Sequence, residues 1–405
     1  MTSLKHNRRS LTILMVNMFI AMVGIGLIIP VLPVFLREFG VGGKDMGYLV
    51  AVFAITQFLF SPIAGETSDK YGRKIPMVIG LIAFTFSQLI FAVGTELWML
   101  YGSRLLGGFS AAFLVPPMMA YVADITSEEG RGKGMGLLGA SMSLGFVIGP
   151  GIGGFLADFG IRAPFYSSAV IAGIATLISL TLLPETLSKE AQLAARSKGK
   201  KPESIGKQLK KSFKAPYFIL LLLVFSLTFG LANFEAIFGL YVDKQFGFTP
   251  KDISIIITVG ALIGVIIQSF VVDKMIIRFG EKKVMYWTFL ASAASMLILL
   301  QANSFWSILA VTVIFFTATS LVRPALNTLL SKMAGSEQGF VAGMNNMYMS
   351  IGNMIGPALA GILFDINVDF PYITGAIILL LSTLVLTRWK QQPKTVIVKS
   401  SLAEK

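Results

Sequence analysis

The sequence predicts an all-α integral membrane protein, with twelve transmembrane helices in two pseudo-symmetric six-helix bundles. Three observations predict it. Apolar runs of roughly 18–25 residues recur twelve times, each long enough to cross a bilayer as a helix. The chain repeats itself at an offset of 207 positions: REFGVGGKD (37–45) lies under KQFGFTPKD (244–252), and PPMMAYVA (116–123) under RPALNTLL (323–330). Basic residues collect in alternate gaps between the apolar runs. Composition agrees, at 55% hydrophobic and 14% charged residues with a mean hydropathy of +0.75; soluble domains carry about 25% charge.

Taken in order, the runs at 11–35, 46–64, 75–94, 97–122, 134–157 and 164–183 form a first bundle within residues 1–183. No small-residue cleavage site follows the first run, so it reads as a retained helix. Residues 184–214 are polar and basic and read as the linker. The runs at 216–241, 252–273, 284–301, 304–330, 340–364 and 370–389 form a second bundle within 215–390, followed by a tail, 391–405. One alternate set of gaps holds 27 basic residues, the other Arg37, Lys44, Arg162, Lys244 and Lys251 only. The positive-inside rule then puts both termini in the cytoplasm. Lys and Arg outnumber Asp and Glu 34 to 21, but they sit between spans, so nucleic acid is not an expected partner. With no Cys and a single His, His6, in the N-terminal tail, thiol chemistry and His-based metal or triad sites drop out; no cofactor, metal or enzyme activity is expected.

The stretch Gly136–Gly154 is the organising element. Gly145, Gly149 and Gly153 fall four apart, on one helix face, where missing side chains admit a neighbouring backbone. Pro150 deletes one hydrogen bond of that helix and predicts a bend. Gly343, Gly352, Gly356, Pro357, Ala360 and Gly361 repeat the pattern 207 positions later.

Ionisable groups within apolar runs are costly, and so are candidates for function. Three stand mid-span: Arg104, Glu235 and Arg323. A carboxyl alone in a low-dielectric site can pass a proton from one side to the other, whereas beside an arginine it stays ionised; a Glu235–Arg323 ion pair is the structural alternative. Arg104 either reaches the interface or points inward with the small face of Gly107, Gly108, Ala111 and Ala112. The stretch Gly65–Lys74 reads as a tight charged turn in which Asp69, Gly72 and Arg73 either anchor topology or latch across the bundles in one state. Asn17, Gln57, Gln88, Asn233, Gln268, Ser320, Asn345 and Asn346 are interhelical glue or cavity lining. The 32 Phe and 19 Met suit a surface that accepts varied apolar ligands.

These residues carry a family resemblance. Gly136–Gly154 resembles the antiporter motif of the major facilitator superfamily, GETSDKYGRK (65–74) its loop signature, and LYGSRLLGGFSAA (100–112) its helix-4 arginine motif. GIGLIIPVLP (24–33), GFTPKDI (247–253), GFVAGMN (339–345) and IGPALAGILFD (355–365) are similar to bacterial drug:proton antiporters of the NorA, Bmr and Blt type. The resemblance implies proton-driven export of amphipathic, often cationic drugs and dyes across a bacterial cytoplasmic membrane, by a monomer whose partners are drug, proton and lipid. It implies that Glu235 couples protons, that Arg323 and Arg104 are the family's helix-10 and helix-4 arginines, and that Met22, Ile25, Phe53, Gln57, Phe146, Phe238 and Phe316 line a central cavity. The chain departs from the pattern at Ser320, where relatives carry Asp, which leaves Glu235 as the sole mid-span acid. A proton-coupled importer or exporter of one metabolite or sugar shares the expected fold and stays open as the alternative, as does, more remotely, a membrane enzyme or receptor.

Overall fold

In lipid the backbone has no partner but itself, so the apolar runs become helices. The structure, a computed structural model, describes residues 2–197, 205–335 and 337–389. The first span is α1 (Thr2–Gly26) continued by α2 (Ile28–Arg37). Pro30 has no N–H to return to the Gly26 carbonyl, and the helix is interrupted at Leu27. Then follow α3 (Gly43–Tyr71), α4 (Lys74–Val93), α5 (Leu97–Ile125), α6 (Glu128–Ala157) and α7 (Ala163–Leu182). Two short helices, α8 (Lys189–Ser197) and α9 (Ile205–Ser212), lie in the linker. The second bundle is α10 (Phe218–Phe246), α11 (Pro250–Phe279), α12 (Glu281–Leu299), α13 (Phe305–Ala334), α14 (Gln338–Ile366) and α15 (Phe370–Arg388).

Among the described residues eleven spans are long and apolar enough to cross a membrane. The twelfth, α12, begins with Glu281, Lys282 and Lys283, which dilute its hydropathy, but its 19 residues extend about 28 Å and it packs between α13 and α15. The helices outrun their apolar stretches. Most of 65–74, expected as a turn, is the last two turns of α3, braced by a Lys70–Glu66 pair one turn apart; only Gly72 and Arg73 lie between helices. Backbone hydrogen bonding carries a helix past the point where lipid stops selecting apolar residues. The linker likewise contains α8 and α9 where a bare tether was expected, and the expected tail 391–405 lies outside the described residues.

Each bundle has its own core. The first is built around Leu14, Met77, Leu81 and Met118, and around Phe35, Phe91 and Phe165. The second is one continuous cluster that includes Phe234, Phe289, Phe315 and Tyr372. The glycine rows do what their spacing predicts. A methyl group on Gly145 would stand 2.6 Å from the Phe19 carbonyl oxygen of α1, and on Gly149 2.8 Å from that of Val23. In the second bundle the same positions, Gly352 and Gly356, lie equally close to the α10 backbone at Phe229. Thus α6 is fastened to α1 and α14 to α10 by backbone contact. Pro150 lies inside α6, which continues to Ala157.

Across the bundles α3 runs along α14 and α6 along α11. Among the described residues of the two bundles, the hydrogen bonds and ion pairs that cross between them lie at the face opposite the chain termini: Gly43 and Lys44 to Asp365, Arg37 to Asp243, and Lys251 to Asp158. That face is closed. At the terminal face the linker helices hold to their own sides, α8 by Arg196 donating to the Lys70 carbonyl, α9 by Lys211 pairing with Glu337.

An alanine at Gly149 or Gly356 should lower unfolding stability by about 1–3 kcal/mol, since each added methyl meets backbone. Gly136→Ala, in open space, should instead gain about 0.5–1 kcal/mol from helix propensity. Thermal unfolding of the three variants in detergent reads the opposite signs.

Candidate functional site

The interior charges are few and separately placed. Glu235 lies deep in α10, 17 residues from the terminal-face end of that helix, and is half-buried. Arg323 on α13 is exposed and, by helix rise, roughly 9 Å nearer the terminal face. It is near enough to act on the Glu235 carboxylate through space. None of the ion pairs found among the described residues joins the two, so the direct pair weighed from the sequence is not made.

Arg104 does not reach the interface. It is 8% exposed, lies over the Phe91 ring at 4.6 Å, and its Nε and Nη2 atoms have no partner among the described residues. The structure does not bring it to Glu235. Ser320 is turned toward α11, where its hydroxyl donates to the Gly264 carbonyl at 3.1 Å and to Thr317 within its own helix.

The aromatic and aliphatic residues expected along a cavity divide. Ile25 and Phe146 are partly buried and packed beside the first-bundle core, with the Phe146 backbone carbonyl against Gly26. Met22 lies against Gly145, and Phe53 against Gly107 and Gly108. Gln57 is half-buried on the same helix as Phe53. Phe316 packs on Gly260 with its ring edge-on to Phe234. Phe238 is a correction. It is fully buried, stacked on Phe234 at 5.0 Å within the second-bundle core, and lines no cavity. Of the polar residues, Asn17 donates to Ser179 at 2.7 Å and Gln88 to the Gly24 carbonyl at 2.9 Å, so both are interhelical glue.

The charged junction between α3 and α4 is the other candidate. Gly72 takes φ +98°, and the Glu185 carboxylate fills the space a side chain there would need. Glu185 accepts the backbone N–H groups of Arg73 and Lys74 at 2.8 and 3.1 Å, binding the start of the linker to the start of α4. Arg73 pairs with Asp69 and donates Nε to Asp124 at 3.0 Å. Burial works to lower the guanidinium pKa, but hydrogen bonds and charge from Asp69 and Asp124 outweigh it and raise it above its ordinary value. Asp69 pairs inside its own bundle here and does not reach across. Asp124 and Glu185 were not singled out from the sequence; they lie 51 and 112 positions from Arg73, and no local pattern joins them.

A family model described as the Major Facilitator Superfamily matches residues 14–271 and 220–405. Multidrug resistance protein 2 of Bacillus subtilis is 44% identical over 390 residues, covering 96% of this chain and 97% of that protein. Quinolone resistance protein NorA of Staphylococcus aureus is 38% identical over 363 residues, covering 90% and 92%. Among solved structures, the nucleoside transporter NupG superposes with a TM-score of 0.74 at 14% identity over 94% of this chain and 99% of that one. The human organic anion transporter MFSD10 gives 0.65 at 22% identity over 94% and 99%. At those identities the structural likeness is one of fold.

Arg73→Gln removes the cation from between two carboxylates, and should cost about 1–3 kcal/mol of stability in a thermal melt. Asp69→Asn, whose side chain is 63% exposed, should cost below about 1 kcal/mol.

Proposed function

The chain belongs to the major facilitator superfamily, and we propose that it is a proton-coupled multidrug efflux antiporter, exporting amphipathic, often cationic drugs and dyes by alternating access. The observation that carries this reading is the near-full-length likeness to Multidrug resistance protein 2. The protein sits as a monomer in a bacterial cytoplasmic membrane with both termini in the cytoplasm, the side favoured by its basic loops. The closed face is then the outer one, and the arrangement corresponds to the end of the cycle that loads drug from inside.

Residues 1–183 and 215–390 are the two rocking bodies. Deprotonated Glu235 attracts the cationic end of a drug arriving from the cytoplasm, past Arg323. Met22, Ile25, Phe53, Gln57, Phe146 and Phe316 supply the apolar lining, and Ser320 flanks it. Once the bodies have rocked, a proton from outside neutralises Glu235 and weakens its hold on the drug. Competition at one carboxylate couples the two flows, since each ligand alters the other's affinity equally. A proton crossing 100 mV supplies about 2.3 kcal/mol, which supports roughly a 50-fold gradient of a neutral drug. Asp69, Gly72 and Arg73 close the cytoplasmic face in the opposite state, when Asp69 exchanges Arg73 for a partner on the other bundle. Arg104, Gly145, Gly149, Pro150 and Gly153 hold the first bundle rigid while it moves.

Glu235→Gln keeps the side-chain volume and removes the titration. This variant should melt within a few degrees of the parent, yet lose dye efflux that is sensitive to a proton uncoupler, by tenfold or more in whole cells. Undiminished uncoupler-sensitive efflux from Glu235→Gln would remove the acid from the mechanism.

A further inference from the structure

We propose that Asp158 and Asp365 are a repeat-related pair of latches that hold shut the face opposite the termini. The two aspartates stand 207 positions apart, at the ends of the two glycine-rich helices α6 and α14. Each meets the first turn of a helix from the other bundle, and those helices, α3 and α11, are also repeat mates.

Their chemistry differs for a stated reason. Asp365 accepts the backbone N–H of Gly43 at 2.7 Å on one oxygen and that of Lys44 at 2.9 Å on the other. These are among the first donors of α3, which have no partner within their own helix, and a carboxylate there also meets the positive end of the helix dipole. On the other side the mate of Gly43 is Pro250, which has no N–H. The Thr249 and Asp252 N–H groups on either side are taken by a reciprocal capping box at the start of α11, so no adjacent pair of donors is left for a carboxylate to bridge. Asp158 therefore reaches the Lys251 side chain instead, at 3.2 Å, and Lys251 is the mate of Lys44. The two contacts occupy equivalent places by different means. Asp365 is the stronger latch, because it accepts two backbone N–H groups at a helix start, whereas Asp158 and Lys251 form a single surface ion pair, and such pairs are weak.

Small residues bring the latches within reach. Gly43 and Gly47 of α3 lie against Phe364, Pro357 and Gly361 of α14, and Gly154 of α6 lies against Ser254 and Pro250 of α11. Gly47 and Ser254 are again repeat mates, as are Gly154 and Gly361. These contacts join different bundles, so opening the face must break them. The proposal rests on the alternating-access reading but not on any substrate.

The chain has no native Cys, so two introduced ones can carry spin labels. Phe159→Cys and Ile366→Cys place them at exposed repeat-related positions beside the latches, one on each bundle. The distance distribution of the purified, drug-free protein then reports the ratio of open to closed outer face. Asp365→Ala should raise that ratio about tenfold and Asp365→Asn, which keeps an acceptor, by less. Asp158→Lys or Lys251→Asp alone should raise it about two- to threefold, and the two together should return it toward the parent. An unchanged distribution in both Asp365 variants, or a charge exchange that restores nothing, would overturn the latch. Because no substrate enters the measurement, failure of the efflux reading would leave its outcome unaffected.

Discussion

The structure depends on backbone meeting backbone where glycine leaves room. Between helices in lipid there is no hydrophobic drive to association, since a lipid tail is as apolar as a leucine side chain. What remains is close contact. The rows Gly145–Gly149–Gly153 and Gly352–Gly356 fasten α6 to α1 and α14 to α10 within each bundle. Next to those rows, Gly154 and Gly361 face the other way and let the bundles themselves touch. One helix thus serves two contacts, a permanent one inside its bundle and a breakable one across.

Charge follows the same division. At the terminal face, carboxylates bind within a bundle: Glu185 and Asp124 hold the Arg73 junction, and Glu337 holds α9. At the opposite face, Asp158, Asp243 and Asp365 bind across bundles. Among the described residues of the two bundles, the polar ties between them are at one face. Glu235, Arg323 and Arg104 are the mid-span charges, and none of the three is neutralised by a direct ion pair among the described residues. Charges left unpaired at such cost are candidates for handling ligand and proton.

Much of this is legible in the sequence because lipid makes the code simple. Twelve apolar runs give twelve spans, and a lone acid in an apolar run is conspicuous, as Glu235 is. The spacing of Gly145, Gly149 and Gly153 is itself the packing signal. Other features leave no local trace. Hydropathy reports the thickness of lipid and not the length of a helix, so the continuation of α3 to Tyr71 is invisible to it. Phe238, near Glu235 in sequence, looks like lining until the stack on Phe234 fixes which side of α10 it takes. Asp365 stands at the end of an apolar run, where a charge attracts no notice; only its register with Asp158, together with that of Lys44 and Lys251, could have drawn the eye.

In the proposed cycle one half-buried carboxylate, Glu235, exchanges a proton for a drug between two rocking bundles. Purified protein in liposomes holding a pH gradient tests it most directly, with dye movement and lumenal pH recorded together. Protons should leave the high-proton side in step with dye accumulating there, and collapsing both the pH gradient and the membrane potential should stop accumulation. Dye accumulating equally well with both collapsed, or moving with no accompanying proton flux, would contradict it.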